Sequence, residues 1–193
     1  MDSLKDCLER AGDQTSFALS QGEETKCFQA FHQESGWELN LDQLTSTLAD
    51  LSFLGAGNEH DVYFHPDSRR VLKITNTEHG FGAQGAPFLY LSNLENQNTL
   101  FADSVKFEGI LKLPTGYRIL TSQRFIPGRP ATEDEISNFF TSLGLAPQGD
   151  HFFKGVIDHK LIKIFDARPD NVLLETENNA IRTIDVQIKI EAT

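Results

Sequence analysis

The chain has 193 residues, with 28 acidic residues against 17 lysines and arginines, so its formal net charge is −11. This length allows one domain, or one domain with an appendage, and an apolar content of 39% is ordinary for a chain that buries a core. The negative charge and the absence of a basic run argue against binding to nucleic acid or to anionic membranes, and no apolar segment approaches the ~20 residues of a membrane span.

Residues 1–51 are predicted to form an N-terminal helical extension. Four leucines between Leu41 and Leu51 recur at helical spacing. We expect this extension to pack on the sheet that follows it, with a partner-binding extension as the alternative. The segment lacks the basic start and apolar centre of a signal peptide, and Cys7 and Cys27 are too few for a disulfide scaffold. Both features favour a cytoplasmic location.

Residues 52–193 are predicted to form one α+β domain. Between Phe53 and Gln123 the pattern is three strands, a helix at about Pro87–Phe101, and two further strands. Thr132 and Glu135 then form a capping box for a second helix. Two short strands surround residues 157–159, so the second half of the domain is expected to be small.

A glycine-containing turn and a lysine mark the start of this domain. Gly55 and Gly57 lie between two apolar runs, which predicts a hairpin whose loop can approach phosphate groups because glycine lacks a Cβ. Lys73 lies inside the apolar run of the third strand. A lysine there is costly unless a partner or a ligand phosphate neutralises it, although an ordinary lysine at a strand edge is the simpler alternative.

Three glutamates are candidate partners for Lys73. Glu95 is the best of them, because it falls on the apolar-facing side of the predicted helix. Glu78 and Glu108 are the alternatives.

The most informative segment is an acidic loop near the C-terminus. Residues 166–171 enter a short apolar strand, and a second strand ends at Asp185. This order predicts that Asp166, Asn171 and Asp185 lie near one another. Such a set suits phosphoryl transfer, in which one acid accepts the proton of an attacking hydroxyl while an amide and a second acid hold Mg²⁺ on the phosphates of a nucleotide. Asp166 could instead be a plain turn former.

The first part of the domain resembles the protein-kinase fold. Gly55, Gly57 and Val62 match the first two glycines and the valine of the kinase Gly-rich loop, while His60 replaces the third glycine. Val71-Leu72-Lys73 is similar to the strand that carries the phosphate-binding lysine. The resemblance implies that these residues, with Glu95 paired to Lys73, bind ATP.

The acidic loop extends the resemblance. Asp166 through Asn171 match the catalytic loop from its base to its metal-binding asparagine, and Asp185 matches the aspartate that opens the metal-binding tripeptide. Arg168 falls where serine/threonine kinases place a lysine that touches the transferred phosphate. Phe165 stands in place of the arginine that reads a phosphorylated activation loop, so activity should need no prior phosphorylation.

The whole pattern looks most like the compact kinase-like domain of bacterial and phage polyvalent proteins, which belong to mobile genetic elements. The similarity rests on five motifs in order: Gly57 to Tyr63, Tyr90 to Phe101, Ile126 to Arg129, Asp166 to Asn171, and Ile184 to Gln187. It implies a minimal protein-kinase-like fold with an antiparallel N-lobe sheet, one C-type helix and a reduced C-terminal lobe.

The resemblance implies an ATP- and Mg²⁺-dependent phosphotransferase. Its acceptor could be a protein or a small molecule. Two alternatives stay open: a nucleotide-binding pseudokinase that acts as an interaction module, and a structural accessory protein without chemistry.

Overall fold

A computed structural model describes residues 38–39, 42, 46, 49–57, 59–76, 86–102, 105–113 and 116–192. These residues form thirteen strands and two helices with defined bounds. The strands are β1 (Glu38–Leu39), β2 (Ser52–Ala56), β3 (His60–His65), β4 (Arg70–Thr75), β5 (Lys106–Leu113), β6 (Gly116–Arg124), β7 (Gly128–Pro130), β8 (Ala146–Gly149), β9 (Phe152–Ile157), β10 (Lys160–Phe165), β11 (Val172–Glu175), β12 (Ile181–Thr183) and β13 (Gln187–Ala192). The helices are α1 (Pro87–Phe101) and α2 (Glu133–Ser142).

The predicted α+β class, with a kinase-like N-lobe sheet, one C-type helix and a reduced C-terminal lobe, is wrong. The described chain is mostly antiparallel β, arranged in three sheets of six, four and three strands. The prediction gave weight to the order of short motifs. The strands β8 and β13, which no motif predicted, pair with the two expected strands around residues 157–159, so this part of the chain forms a four-stranded sheet.

The chain divides into two compact units. The first contains the described residues within 1–95 and 104–125, and the second contains residues 96–103 and 126–193. The division falls inside α1, so residues 87–95 of the helix belong to the first unit and residues 96–101 to the second.

The first unit is a six-stranded sheet in the order β1-β5-β6-β4-β3-β2. Its pairs are antiparallel except β1 with β5, which is parallel. The part of α1 that belongs to this unit packs Leu91 and Leu94 against Phe107 and Ile119 on one face of the sheet. A second apolar cluster, which includes Leu72, lies on the other face.

The second unit combines a four-stranded sheet, β13-β10-β9-β8, with a three-stranded sheet, β12-β11-β7. Its core contains Phe140 of α2 and the buried side chains of β9, β10 and β13. The ring of Phe140 lies 4.7 Å from that of Phe153 and 5.1 Å from that of Phe139, measured between centroids. No helix of the described residues is long and apolar enough to cross a membrane.

Most of the predicted N-terminal extension, 1–51, lies outside the described residues. Glu38–Leu39 form a strand where a helical segment was expected, and β1 pairs with Ile110 and Leu111 of β5. Asp42 and Ala49 have helical backbone.

Candidate functional site

The β2–β3 hairpin, residues 54–62, is called the glycine hairpin here. Gly55 lies opposite Val62, and the N–H of Gly57 donates a hydrogen bond of 2.8 Å to the His60 carbonyl oxygen. A Cβ on Gly55 would meet no atom within 4 Å, and one on Gly57 would meet only the His60 oxygen at 3.9 Å. Neither glycine has a left-handed φ. The fold of this hairpin therefore does not itself require glycine at either position.

Lys73 lies in the middle of β4, level with Val62 of the glycine hairpin. It stands opposite Val62 on β3 and opposite Thr121 on β6, so its side chain leaves the sheet on their face. Ile119, two residues from Thr121, packs against α1 on that same face. Lys73 is half-buried there. The structure thus brings Gly55, Val62 and Lys73 side by side across three neighbouring strands.

The face of the sheet from which Lys73 projects determines which of the three predicted glutamates can be its partner. Glu108 accepts a hydrogen bond of 2.5 Å from the hydroxyl of Ser122. Ser122 lies opposite Leu72, whose side chain points to the other face of the sheet, so Glu108 is not the partner. Glu95 is half-buried and lies one helical turn after the buried Leu91, on the packed side of α1. Glu78 lies outside the described residues, and Glu95 stays the predicted partner.

His60 is a feature that sequence reasoning missed. His60 begins β3, is 4% exposed, and its Nε2 lies 2.9 Å from the hydroxyl of Tyr90. The available signal was the alternation along β3, which puts His60 on the same face as Val62. The pair fixes the start of β3 to the helix that covers this face.

The acidic loop of the second unit, residues 166–171, is held by its own side chains. Nδ2 of Asn171 donates to the Asp166 carbonyl oxygen at 2.9 Å and to Asp166 Oδ2 at 2.8 Å. Both partners are acceptors, so the amide nitrogen of Asn171 must face them, and neither bond uses Oδ1. Asp166 has a left-handed φ of 58°. This conformation is uncommon outside glycine, although Asp and Asn adopt it more readily than most residues.

The backbone just before Asp185 is hydrogen-bonded to Asn171. Val172 on β11 pairs with Thr183 on β12, and the N–H of Ile184 donates to the Asn171 carbonyl oxygen at 2.9 Å. Asp185 therefore follows directly after the residue bonded to Asn171. Asp166 and Asn171 are thus in contact, whereas the convergence of the Asp185 side chain with them stays a prediction.

An ion pair with a buried carboxylate closes the β11–β12 hairpin. Glu175 is 1% exposed, and its Oε2 accepts from Arg182 Nε at 2.9 Å and from Asn178 Nδ2 at 3.1 Å. A buried carboxylate needs such donors to offset its lost hydration. The pair fixes the β11–β12 register, and with it the position of Asp185 relative to Asn171.

Arg168 bridges two carboxylates of the loop. Its Nε lies 3.4 Å from Asp166 Oδ1 and 3.0 Å from Asp170 Oδ1, and its side chain is 48% exposed. The contact with Asp170 is what a surface arginine without a phosphate-binding role would also make. Asn171 and Arg168 together hold both oxygens of the Asp166 carboxylate.

No protein-family model matches this chain, and a search of curated proteins gives no match. The resemblance to the kinase-like domain of polyvalent proteins therefore stays a prediction.

Proposed function

We propose that the protein is a Mg²⁺-dependent phosphotransferase that uses ATP. The observation that carries this proposal is the contact of Asn171 with Asp166, beside the backbone bond that brings Asp185 next to Asn171. Asp166 and Asn171 meet within one loop, the backbone bond to Asn171 is made by the residue before Asp185, and none of the three side chains belongs to the hydrophobic core. The chemistry belongs to these side chains and does not depend on a kinase-like fold, because unrelated folds host the same reactions.

The donors fit magnesium better than a softer metal. Asn171 offers its unused Oδ1, and Asp185 offers a carboxylate. Magnesium prefers such hard oxygen ligands, whereas zinc favours nitrogen and sulfur. The bound ion would neutralise phosphate charge, which matters for a chain of net charge −11. A cytoplasmic location, where ATP and Mg²⁺ are supplied, accords with the two isolated cysteines.

Asp166 is the proposed general base. It accepts the proton of an acceptor hydroxyl, whose oxygen forms a bond to the γ-phosphorus as the bond from that phosphorus to the bridging oxygen breaks and ADP leaves. Asn171 and Arg168 orient the carboxylate for this step. Arg168 steadies the charge of the transferred phosphate. The acceptor is a protein or small-molecule hydroxyl.

Taken by itself, the first unit carries groups that suit the binding of nucleotide phosphates. Backbone at Gly55 and Gly57 approaches the phosphates, because no side chain blocks it. Lys73 pairs with the phosphates and is held by Glu95, while Val62 supplies an apolar contact in the same row.

A second candidate function is nucleotide binding without transfer, as part of an interaction module. The ion pair of Arg168 with Asp166 favours this candidate. Arg168 is the proposed phosphate-binding cation, and in this pair it binds the proposed base instead of a phosphate. Transfer would require Arg168 to exchange one carboxylate for the phosphate.

Calorimetric titration of ATP, with and without Mg²⁺, tests the binding step. We expect binding only with Mg²⁺, and a loss of about tenfold or more in Asp185→Asn, which removes a charged ligand. Asp150→Asn, at an exposed loop acid, is the matched control and should bind as wild type does. Equal affinity with and without Mg²⁺, or no binding, would contradict the proposal.

Transfer of labelled γ-phosphate, to the protein itself or to proteins and metabolites in a cell extract, tests the chemical step. Asn tolerates the left-handed backbone at position 166, so Asp166→Asn changes the chemistry with little backbone strain. We expect it to abolish transfer and to leave ATP affinity nearly unchanged, since the base touches the acceptor. Transfer that persists in this variant excludes the mechanism, and binding without any transfer selects the second candidate.

A further inference from the structure

The outer face of the four-stranded sheet of the second unit carries a row of lysines. Lys163 on β10 lies directly opposite Lys154 on β9 and directly opposite Lys189 on β13. All three side chains leave the sheet on one face, because directly opposed residues share a face. Ile162 and Ile164, which alternate with Lys163 along β10, belong to the buried core on the other side. We call this outer surface the lysine face.

The lysine face is basic on a strongly acidic chain. One acid lies among its lysines: Glu191, whose Oε1 and Oε2 accept from Lys163 Nζ at 2.7 and 2.8 Å. Lys163, and more weakly Lys189 and Lys154, lower the pKa of Glu191. Lys154 and Lys189 are exposed and have no ion-pair partner among the residues that the structure describes. Directly opposed like charges destabilise a sheet, so folding alone gives no reason for this row.

Apolar side chains lie beside the lysines. Val156 is 59% exposed and stands opposite the half-buried Leu161. The rings of Phe152 and Phe165 stack with centroids 4.6 Å apart and planes 2° apart, and Lys189 Nζ lies 5.9 Å from the Phe165 centroid. The lysine face thus offers cations and apolar contact area together.

We infer that the lysine face docks an acidic polypeptide segment that presents carboxylates next to apolar side chains. Charge complementarity supplies the attraction, and the Val156–Leu161 pair supplies the apolar contact. A nucleic acid fits less well: Phe152 and Phe165 stack on each other rather than offering open faces to bases, and Glu191 lies among the lysines. The net charge of −11 also repels a long polyanion more than a short peptide.

Docking occurs on the face of the sheet rather than at its β8 edge. Strand β8 carries Pro147, which lacks an N–H, and its register with β9 is interrupted between Pro147 and Gly149. A partner strand could not pair evenly along such an edge.

Fluorescence anisotropy with a short labelled peptide of Glu-Glu-Val repeats tests the inference without nucleotide, so its outcome is separate from that of the proposed phosphotransfer. We expect wild type to bind and the affinity to fall as salt rises. The double substitution Lys154→Glu with Lys189→Glu should weaken binding about tenfold or more. Val156→Ser should weaken binding without changing its salt dependence, because it removes apolar contact and no charge.

The matched control is Lys106→Glu with Lys112→Glu, the same charge reversal at two exposed lysines of the first unit. It should bind the peptide within about twofold of wild type, since it changes the net charge of the chain by the same amount but leaves the lysine face intact. Circular dichroism checks that all variants are folded. Absence of binding by wild type, equal loss in both double variants, or tighter binding of a single-stranded oligothymidylate of the same length would each overturn the inference.

Discussion

A substitution at Gly55 can affect ligand binding without affecting the stability of the fold. A Cβ at this position meets no atom within 4 Å, and the backbone is not left-handed. Gly55→Ala should therefore leave the free energy of unfolding unchanged, or raise it by up to ~1 kcal/mol through the unfolded chain. If the hairpin backbone contacts phosphates, ATP affinity should fall about tenfold, which corresponds to the loss of about one hydrogen bond. Urea unfolding and calorimetry measure the two effects on one sample.

Two other glycines serve as controls for that substitution. A Cβ on Gly128 would overlap the Leu174 carbonyl oxygen, and one on Gly155 would overlap the Gly144 carbonyl oxygen. Gly128→Ala and Gly155→Ala should lower the free energy of unfolding by about 1–3 kcal/mol. An equal destabilisation by Gly55→Ala would mean that this glycine serves the fold and not a ligand.

At the scale of single residues, local spacing could be predicted and long-range register could not. Asp166 and Asn171 are five residues apart, so a turn was enough to bring them together, and their contact agrees with the sequence interpretation. Excluding Glu108 as a partner of Lys73 depended on the pairing of β4 with β6, and on an irregularity in β5 between Phe107 and Gly109. Such pairings join residues far apart in sequence, and one residue of shift reverses every face.

At the scale of elements, the N-terminus of α2 gives a prediction about pH. Thr132 and Glu135 form the predicted capping box, and the Arg129 guanidinium contacts both Glu135 oxygens at 2.7 and 2.9 Å. Hydrogen bonds from Arg129 and the Thr132 backbone lower the pKa of Glu135 to about 2 from its ordinary 4.5. A lowered folded-state pKa stabilises the fold above about pH 4.5, and this contribution is lost as the pH falls toward about 2.

Glu135→Gln tests this coupling by urea unfolding across pH. The variant should be less stable than wild type at neutral pH, and the difference should shrink as the pH falls from about 4.5 to about 2. Asp134→Asn is the control, because it removes a charge from the same first turn but keeps the capping box. A difference between wild type and Glu135→Gln that stays constant with pH would show that the ion pair contributes nothing to it.

The elements themselves were largely predictable, whereas their assembly was not. The expected helix at Pro87–Phe101 is observed with those bounds, and the two strands around residues 157–159 are confirmed. Proline at the first helical position and alternating apolar residues are local signals. The strand β1 gave no such signal because its partner β5 lies far along the chain, and β8 gave none because proline and glycine are disfavoured in strands.

At the scale of the whole molecule, the fold class failed because matching motifs were taken as evidence for one arrangement of sheets. The motifs around Gly55, Lys73, Asp166 and Asn171 predict a chemistry, and the apolar patterns predict local structure. Neither specifies how three sheets combine. The mostly antiparallel β architecture therefore corrects the fold prediction and leaves the phosphotransfer hypothesis to be tested by its own experiments.

The division into two compact units gives the last prediction. Leu91 is fully buried in the core of the first unit, and Phe140 is fully buried in that of the second. Truncation to alanine at such sites costs about 2–5 kcal/mol. Because each core holds its own strands, Leu91→Ala should accelerate amide exchange at Ile110 and Ile119 by about thirtyfold or more, and Phe140→Ala should do so at Ile162 and Ile164. Hydrogen exchange measured by mass spectrometry reads both units in one sample, and Phe53→Ala, at an exposed side chain, is the control. If either core variant accelerates exchange equally in both units, the chain unfolds as a single cooperative body and the two cores do not act separately.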